Sequence, residues 1–382
     1  MRLSELLYES SRRALSLQQA DGAFPAGHNG PYNDSDTPVR NTAHWLITLL
    51  HVAQLSGDGA MRAAAERAAA YLMLPEHRPM GASFLCRTAP QRDFCNGLIG
   101  QAWAIEALSV AADGLGAPQH GALARELFLR HDFHERTGLW RCLNVEGSYG
   151  PFDMTFNHQL WFAASGALAA TAPQDEVGRR VLRFLDCTHA YHLKVDPSGR
   201  INHFVPSTAS QSRARQALSA VAQPFKRLRR KPHMVSKEIG YHAFNLYAFA
   251  LLHSRFPTHP LWANPRLLAA LRFVSSDAYV RGLENNRFGY PYNPPGFEVA
   301  FAVQSFPAAA SGANPAWWVT QQLRHTYDPD TGLIHRQTDD QQTLAARLYE
   351  ATRLHDLELD LALLGPEIGR KLVASVDSMP GS

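Results

Sequence analysis

Three stretches of this sequence combine amide, imidazole and aromatic side chains at helical spacing. Asn41, His44 and Trp45 follow the loop GHNGPYNDSDTPVR, Asn157, His158 and Trp161 follow EGSYGPFDMTF, and Tyr241, His242 and Asn245 follow a basic stretch. Offsets of three and four put each set on one helix face. A lone helical histidine is more often a satisfied core residue than a ligand or catalyst. Three such sets, each directly after a loop, predict helix starts that converge on one polar, aromatic-lined cavity. Amides and imidazoles bond hydroxyls, and aromatic faces match the apolar faces of sugar rings, so the chemistry they suit is carbohydrate recognition and turnover.

Carboxylates offer a second chemistry. Asp34 and Asp36 lie in the first glycine-rich loop, Asp153 precedes Asn157, Glu238 precedes Tyr241, and Glu298 sits in YPYNPPGFEVAF. An acid paired with a base or nucleophile on such loops hydrolyses a glycosidic bond, their separation setting retention or inversion. Each acid alone also reads as a helix cap. Glu298 is the least cap-like, lying among aromatic residues after two prolines, and a perturbed pKa is expected there. Tyr290, from the same stretch, joins the substrate-binding candidates.

The elements that must position these residues are helices. Apolar periodicity predicts them near residues 2–19, 39–56, 60–73, 96–113, 119–131, 154–171, 175–190, 237–254, 262–275, 314–326 and 340–364, with strand alternation confined to short pieces such as 200–205. Four segments repeat a turn that runs from an acidic residue through glycine to an apolar residue: Asp21 to Phe24, Glu135 to Trp140, Asp196 to Ile201 and Asp328 to Ile334. The acid starts the turn, the glycine accepts a positive φ, and the apolar residue pins the loop to a helix end. With 382 residues and 45% hydrophobic content, the chain can bury one large core, and a single catalytic domain over residues 1–382 is expected.

The arrangement resembles the α/α toroids of glycoside hydrolases, polysaccharide lyases and sugar epimerases, which implies an all-α, (α/α)6 barrel of stacked helical hairpins. Asn157-His158-Gln159-Leu160-Trp161 looks like the Asn-His-x-x-Trp helix of alginate-lyase-type toroids, and Tyr241-His242-Ala243-Phe244 resembles their Tyr-His helix. That resemblance implies that Asn157 and His158 neutralise a substrate carboxylate and assist proton removal, with Tyr241 as acid or base. Arg78-Pro79-Met80-Gly81-Ala82 and DFCNGLIGQAW, residues 93–103, resemble uncharacterised toroids of bacterial polysaccharide gene clusters. Gln18-Gln19-Ala20-Asp21-Gly22 is similar to the turn repeats of triterpene cyclases. Asp339-Asp340 is too short for their acidic protonating motif.

Residues 206–237 carry seven cationic side chains between Arg213 and Lys231 and read as an insertion between two barrel helices. It separates the two lyase-like motifs further than the family pattern does. A solvated loop is the plain reading; a binding role would attract an acidic polymer or an anionic membrane surface. Arg229, Arg230 and Lys231 are the candidates for the family's charge-neutralising position.

These readings define an enzyme that abstracts a proton from a sugar carbon of an acidic or uronate-containing oligo- or polysaccharide, by β-elimination or epimerisation. Asn157, His158, Tyr241, Glu298 and Asp36 are the catalytic candidates. Asn41, His44, Trp45, Trp161, His242, Asn245, Tyr290, Arg229 and Arg230 are the binding candidates. A glycoside hydrolase using a carboxylate pair is the alternative, and a non-catalytic helical glycan-binding scaffold is the alternative from another class. No cofactor is expected, because no Walker lysine loop and no GxGxxG after a strand are present. No metal is expected either, since HExxH is absent, although His131, His134 and His192 leave an incidental metal open. The net charge of +3 does not call for nucleic acid. The amphipathic start and the lack of a long apolar run point to the cytoplasm. Cys86, Cys95, Cys142 and Cys187 lack CxxC spacing and read as scattered buried thiols.

Overall fold

The computed structural model describes residues 1–206, 232–310 and 312–364. Its helices are α1 (Leu3–Ala14), α2 (Val39–Ser56), α3 (Gly59–Leu72), α4 (Gly97–Leu115), α5 (Pro118–Arg130), α6 (Phe156–Ala169) and α7 (Glu176–Cys187). Then follow α8 (Pro232–Gly240), α9 (His242–Arg255), α10 (Pro265–Phe273), α11 (Asp277–Leu283), α12 (Pro295–Ser305), α13 (Pro315–Thr326) and α14 (Gln341–Ala346).

Two kinds of helix alternate. Along α2, α4, α6, α9 and α12 most residues are buried on every side, so these helices belong to an inner layer. By contrast, α7 buries Val177, Val181, Phe184 and Leu185 along one stripe and turns Arg179 outward, as an outer helix must. Within the inner layer α2 packs on α4, α4 on α6, α6 on α9, and α9 on α12. A 3-10 segment, Arg347–Arg353, packs on α12 and returns to α2, which closes the layer. The architecture is an α/α toroid.

Strands are few and local. β1 (Phe133–His134), β2 (Leu139–Leu143) and β3 (Tyr149–Phe152) form an antiparallel sheet, and β4 (Tyr327–Asp328) pairs with β5 (Leu333–Ile334). The expected strand at 200–205 reduces to isolated bridges, Val195 with Ile201 and Thr155 with Phe204. Three expectations about helices change as well. The stretch around Glu298 is helical rather than a loop, because Pro295 occupies a first-turn position that needs no N–H donor. The expected helix over 340–364 is α only to Ala346 and continues as the 3-10 segment. The basic stretch ends in α8. Its seven cationic residues, Arg229 and Arg230 among them, lie outside the described residues.

The four repeated turns share one conformation. Gly22, Gly138, Gly199 and Gly332 all take positive φ, between 62° and 97°. Each abuts an outer helix, so that a Cβ on Gly22 would lie 2.4 Å from the Arg67 carbonyl oxygen and one on Gly199 2.4 Å from that of Ala269. The apolar residue after the turn is then clamped by a polar side chain near the start of an inner helix. Phe24 N–H donates to Thr42 Oγ1 (2.9 Å), Trp140 N–H to Gln159 Oε1 (3.0 Å), and Ile201 N–H to His242 Nδ1 (3.3 Å). These clamps fix the loops above the starts of the inner helices. Among the described residues no helix is long and apolar enough to cross a membrane.

Candidate active site

The inner elements all begin at the same end of the ring, and a cavity of about 270 Å³ opens between their starts. Its wall takes Asn96 and Gly97 from α4, Asn157 and His158 from α6, Tyr241 from the start of α9, Asn293 from just before α12, and Arg347 from the 3-10 segment. The loop ahead of α2 adds Asn29, Tyr32 and Asp34.

At the start of α6, His158 Nδ1 lies 2.7 Å from Asp153 Oδ2. Burial alone would raise the Asp153 pKa, but the charge and hydrogen bond of His158, with bonds from Thr155, outweigh it and bring the value down to about 2. An ionised carboxylate only accepts, so His158 Nδ1–H donates to it. Nε2 is thereby left as the nitrogen able to take or give a proton. Gly97 lets this pair approach α4: a Cβ there would lie 3.1 Å from Asp153 Oδ2. Beside the pair, the buried Asn157 Oδ1 has no hydrogen-bond partner in the protein.

Facing them, the hydroxyls of Tyr241 and Tyr32 are 2.9 Å apart. Burial pushes the Tyr241 pKa well above the ordinary phenol value, with Tyr292 and Tyr32 adding to it. Tyr241 is therefore a neutral proton donor at physiological pH. The Lys237 ammonium sits 5.1 Å from the centre of the Tyr32 ring and 5.8 Å from that of Tyr241. Burial lowers its pKa, with Arg287 adding to the effect.

The other acids on the wall are held by cations. Asp34 receives Arg87 at 3.3 Å and Arg92 at 3.1 Å, and Asp93 receives Arg87 at 2.5 Å and the Gly97 N–H at 2.8 Å. Below the cavity a buried ionic layer spans the ring. Arg347 contacts Glu298 at 2.9 Å and Glu350 at 2.6 Å, and Arg353 reaches Glu106 at 3.2 Å. Burial raises Glu298 well above the ordinary carboxylate range and Glu350 to about 7.

Of the residues expected at the site, Asn157, His158 and Tyr241 line one cavity. The other expected residues that fall among the described ones lie elsewhere. Glu298 belongs to the ionic layer. Asp36 is buried beside Arg40 at 3.6 Å and pushed up to about 7 by burial, without reaching the cavity wall. His44 stacks on Tyr349 at 4.2 Å inside the ring, and Trp45 packs on Phe24. Asn41 Nδ2 donates to the Pro25 carbonyl, and Asn245 Nδ2 to that of Tyr241. Trp161 stacks on Phe244 and Tyr247, donating Nε1–H to the Phe244 carbonyl. His242 uses both nitrogens on backbone, accepting from Ile201 and donating to the Ala270 carbonyl at 2.9 Å. Tyr290 lines a neighbouring cavity. Among the acids, Glu238 bonds Arg200 and the His203 N–H. Cys142 is not a core thiol but lines the cavity, half-buried.

Sequence reasoning missed Tyr32, Lys237, Tyr292 and Arg347, and did not pair Asp153 with His158. The five-residue offset from Asp153 to His158, spanning a loop and a helix start, was the one available signal.

The α/α toroid is a fold shared with several solved carbohydrate-active enzymes. The cellobiose 2-epimerase of Spirochaeta thermophila DSM 6192 superposes with a TM-score of 0.60 at 13% identity, covering 96% of this chain and 93% of that one. A heparin-specific unsaturated glucuronyl hydrolase gives 0.57 at 13% identity over 92% and 94%. The GH76A α-1,6-mannanase of Salegentibacter sp. HEL1_6 gives 0.52 at 12% over 92% and 98%. No protein-family model matches the chain. A relative does: the archaeal glycosylation protein Q of Haloferax volcanii is 44% identical over 373 residues, spanning 94% of this chain and 99% of the relative. The chain belongs to the family of archaeal glycosylation protein Q.

Proposed function

We propose that this protein is a carbohydrate-processing enzyme of glycosylation that moves a proton at a carbon of an acidic, uronate-type sugar. The observation that carries this reading is the Asp153–His158 pair, whose Nδ1–H···Oδ2 bond of 2.7 Å orients Nε2 as a base beside the cavity. Asp153 holds the tautomer and stabilises the imidazolium that forms when Nε2 takes a proton. Tyr241, neutral and bonded to Tyr32, supplies a proton to the developing oxyanion or to the opposite face of the sugar. Lys237 has aromatic rings and no carboxylate around it among the described residues, so the sugar's carboxylate is its natural counter-ion. Asn157 Nδ2 can donate to the same group, and its unpartnered Oδ1 can accept from a sugar hydroxyl.

The ring of contacts supports six hairpins, an (α/α)6 barrel, and we take the whole chain as one catalytic domain. The family name supports a place in glycosylation, and the epimerase and glucuronyl hydrolase among the structural relatives support a sugar substrate. Hydrolysis is less well supported. Asp34, Asp93 and Asp153 are each engaged by cations or histidine, whereas a hydrolase needs one carboxyl kept protonated at the cavity. A non-catalytic scaffold would have no use for a histidine oriented by a buried carboxylate.

The test is turnover of uronate-containing sugars in D2O, followed by proton NMR. Proton transfer places deuterium on a sugar carbon; epimerisation then inverts that centre, and elimination yields a product that absorbs in the ultraviolet. His158→Gln should abolish carbon-bound exchange. A new reducing end formed without carbon-bound deuterium would replace this reading with hydrolysis.

A further inference from the structure

A second cavity, of about 410 Å³, opens on the same face of the ring around Tyr290 and His325. The turn Asn29–Tyr32 is shared by the two cavities: Asn29 and Tyr32 line the reactive cavity, while Gly30 and Pro31 line the second. That turn is held rigidly. Gly30 N–H and His28 N–H donate to Asp340 Oδ2 at 2.8 and 2.9 Å, and Asn29 Oδ1 accepts from Tyr292 (2.8 Å) and Arg40 (2.9 Å). Gly30 lets the turn pack directly on the Tyr292 ring, where a Cβ would fall 2.1 Å away.

We propose that this second cavity is a subsite for a neutral hexopyranose joined to the sugar that reacts. The inference rests on the carbohydrate reading above and extends it to a substrate of at least two residues. Three observations support it. Tyr290 and His325 stack at 4.1 Å with their planes 11° apart, giving one wall a flat aromatic unit. Asn285, Arg287 and Asp339 add an amide, a guanidinium and a carboxylate, a mixture suited to ring hydroxyls, which both donate and accept. Finally, Gln337 holds φ at 55° on the cavity wall. Asn285 shares that conformation but ends α11, where it is ordinary. No helix end explains it at Gln337, and such strain is retained where side-chain placement serves binding.

The experiment uses the full-length His158→Gln protein, which cannot turn substrate over, and calorimetry with two probes. One is glucuronic acid; the other is a panel of glucuronosyl-glucose disaccharides differing in linkage. At least one disaccharide should bind ten times or more tightly than glucuronic acid. Tyr290→Ala and Asp339→Ala should each weaken that disaccharide about three- to tenfold, as loss of one hydrogen-bonding or stacking partner does, and leave glucuronic acid unchanged. Gln337→Gly should raise the denaturation midpoint while weakening the disaccharide, separating strain kept for binding from a structural need. Equal affinity for all probes, or variants that weaken both kinds alike, would overturn the subsite. Glucuronic acid binding without any disaccharide gain would leave the carbohydrate reading standing alone. Absence of binding by every probe would overturn both.

Discussion

Replacing Asp153 with Asn removes one charge from the proposed acid–base pair and leaves its shape nearly intact. The Asp153 carboxyl falls from the ordinary 3.8 to about 2 although it is buried. At about 1.4 kcal/mol per tenfold change in acidity, the folded protein stabilises the anion by about 2 kcal/mol. A folded-state pKa below the unfolded one contributes stability that is fully present above pH 4 and is lost as pH falls towards 2. Asp153→Asn should therefore cost about 2 kcal/mol at neutral pH, and less as the wild type is acidified through that window. Catalysis should suffer more. An amide can donate to His158 Nδ1, which would put the proton on Nε2 and remove the base. Loss of an oriented base typically costs about 10²–10⁴-fold in turnover. Carbon-bound deuterium exchange measures the first-order step, and urea denaturation at pH 7 and pH 3 measures the stability. A variant that keeps turnover within tenfold of wild type would refute the assignment of His158 as the base.

Three further outcomes follow from the same geometry. Lys237→Met should raise KM for a uronate substrate about tenfold or more with kcat little changed, and the wild-type KM should rise with salt past about 0.1 M; steady-state kinetics at two ionic strengths checks both. Glu298→Gln should keep turnover within tenfold but lower stability by about 1–3 kcal/mol, because it leaves part of the buried Arg347 network unpaired; thermal denaturation beside an activity assay separates the two effects. Gly199→Ala should destabilise by more than about 1 kcal/mol, since φ is positive and its Cβ would strike the Ala269 carbonyl, whereas Gly57→Ala, in open space at φ 70°, should cost less. Chemical denaturation of the pair tests that order.

Local periodicity was enough to place most of the inner and outer helices, though not α12, because burial patterns repeat within a few residues of chain. The four glycine turns were legible for the same reason, each conformation being set within its own segment. Convergence of the helix starts was also readable from Asn157 and His158, which follow a loop directly, whereas Tyr241 follows α8 at once. What spacing could not give was depth. His158 is the third residue of α6 and His44 the sixth of α2, and at 1.5 Å rise per residue that difference drops His44 below the cavity floor, between Tyr349 and Trp103. His242, the first residue of α9, takes the turn-clamping place that Gln159 holds in α6, so its nitrogens are committed to backbone. Long-range pairing decided the rest. Tyr32 reaches Tyr241 across 209 residues and Arg347 reaches Glu298 across 49, contacts that no periodicity encodes. Only closure of the ring brings those segments together. It also turned Glu298 from a candidate acid at the cavity into a buried hydrogen-bond partner of Arg347, because the first turn of α12 faces the ring interior, where an unpaired polar group is costly.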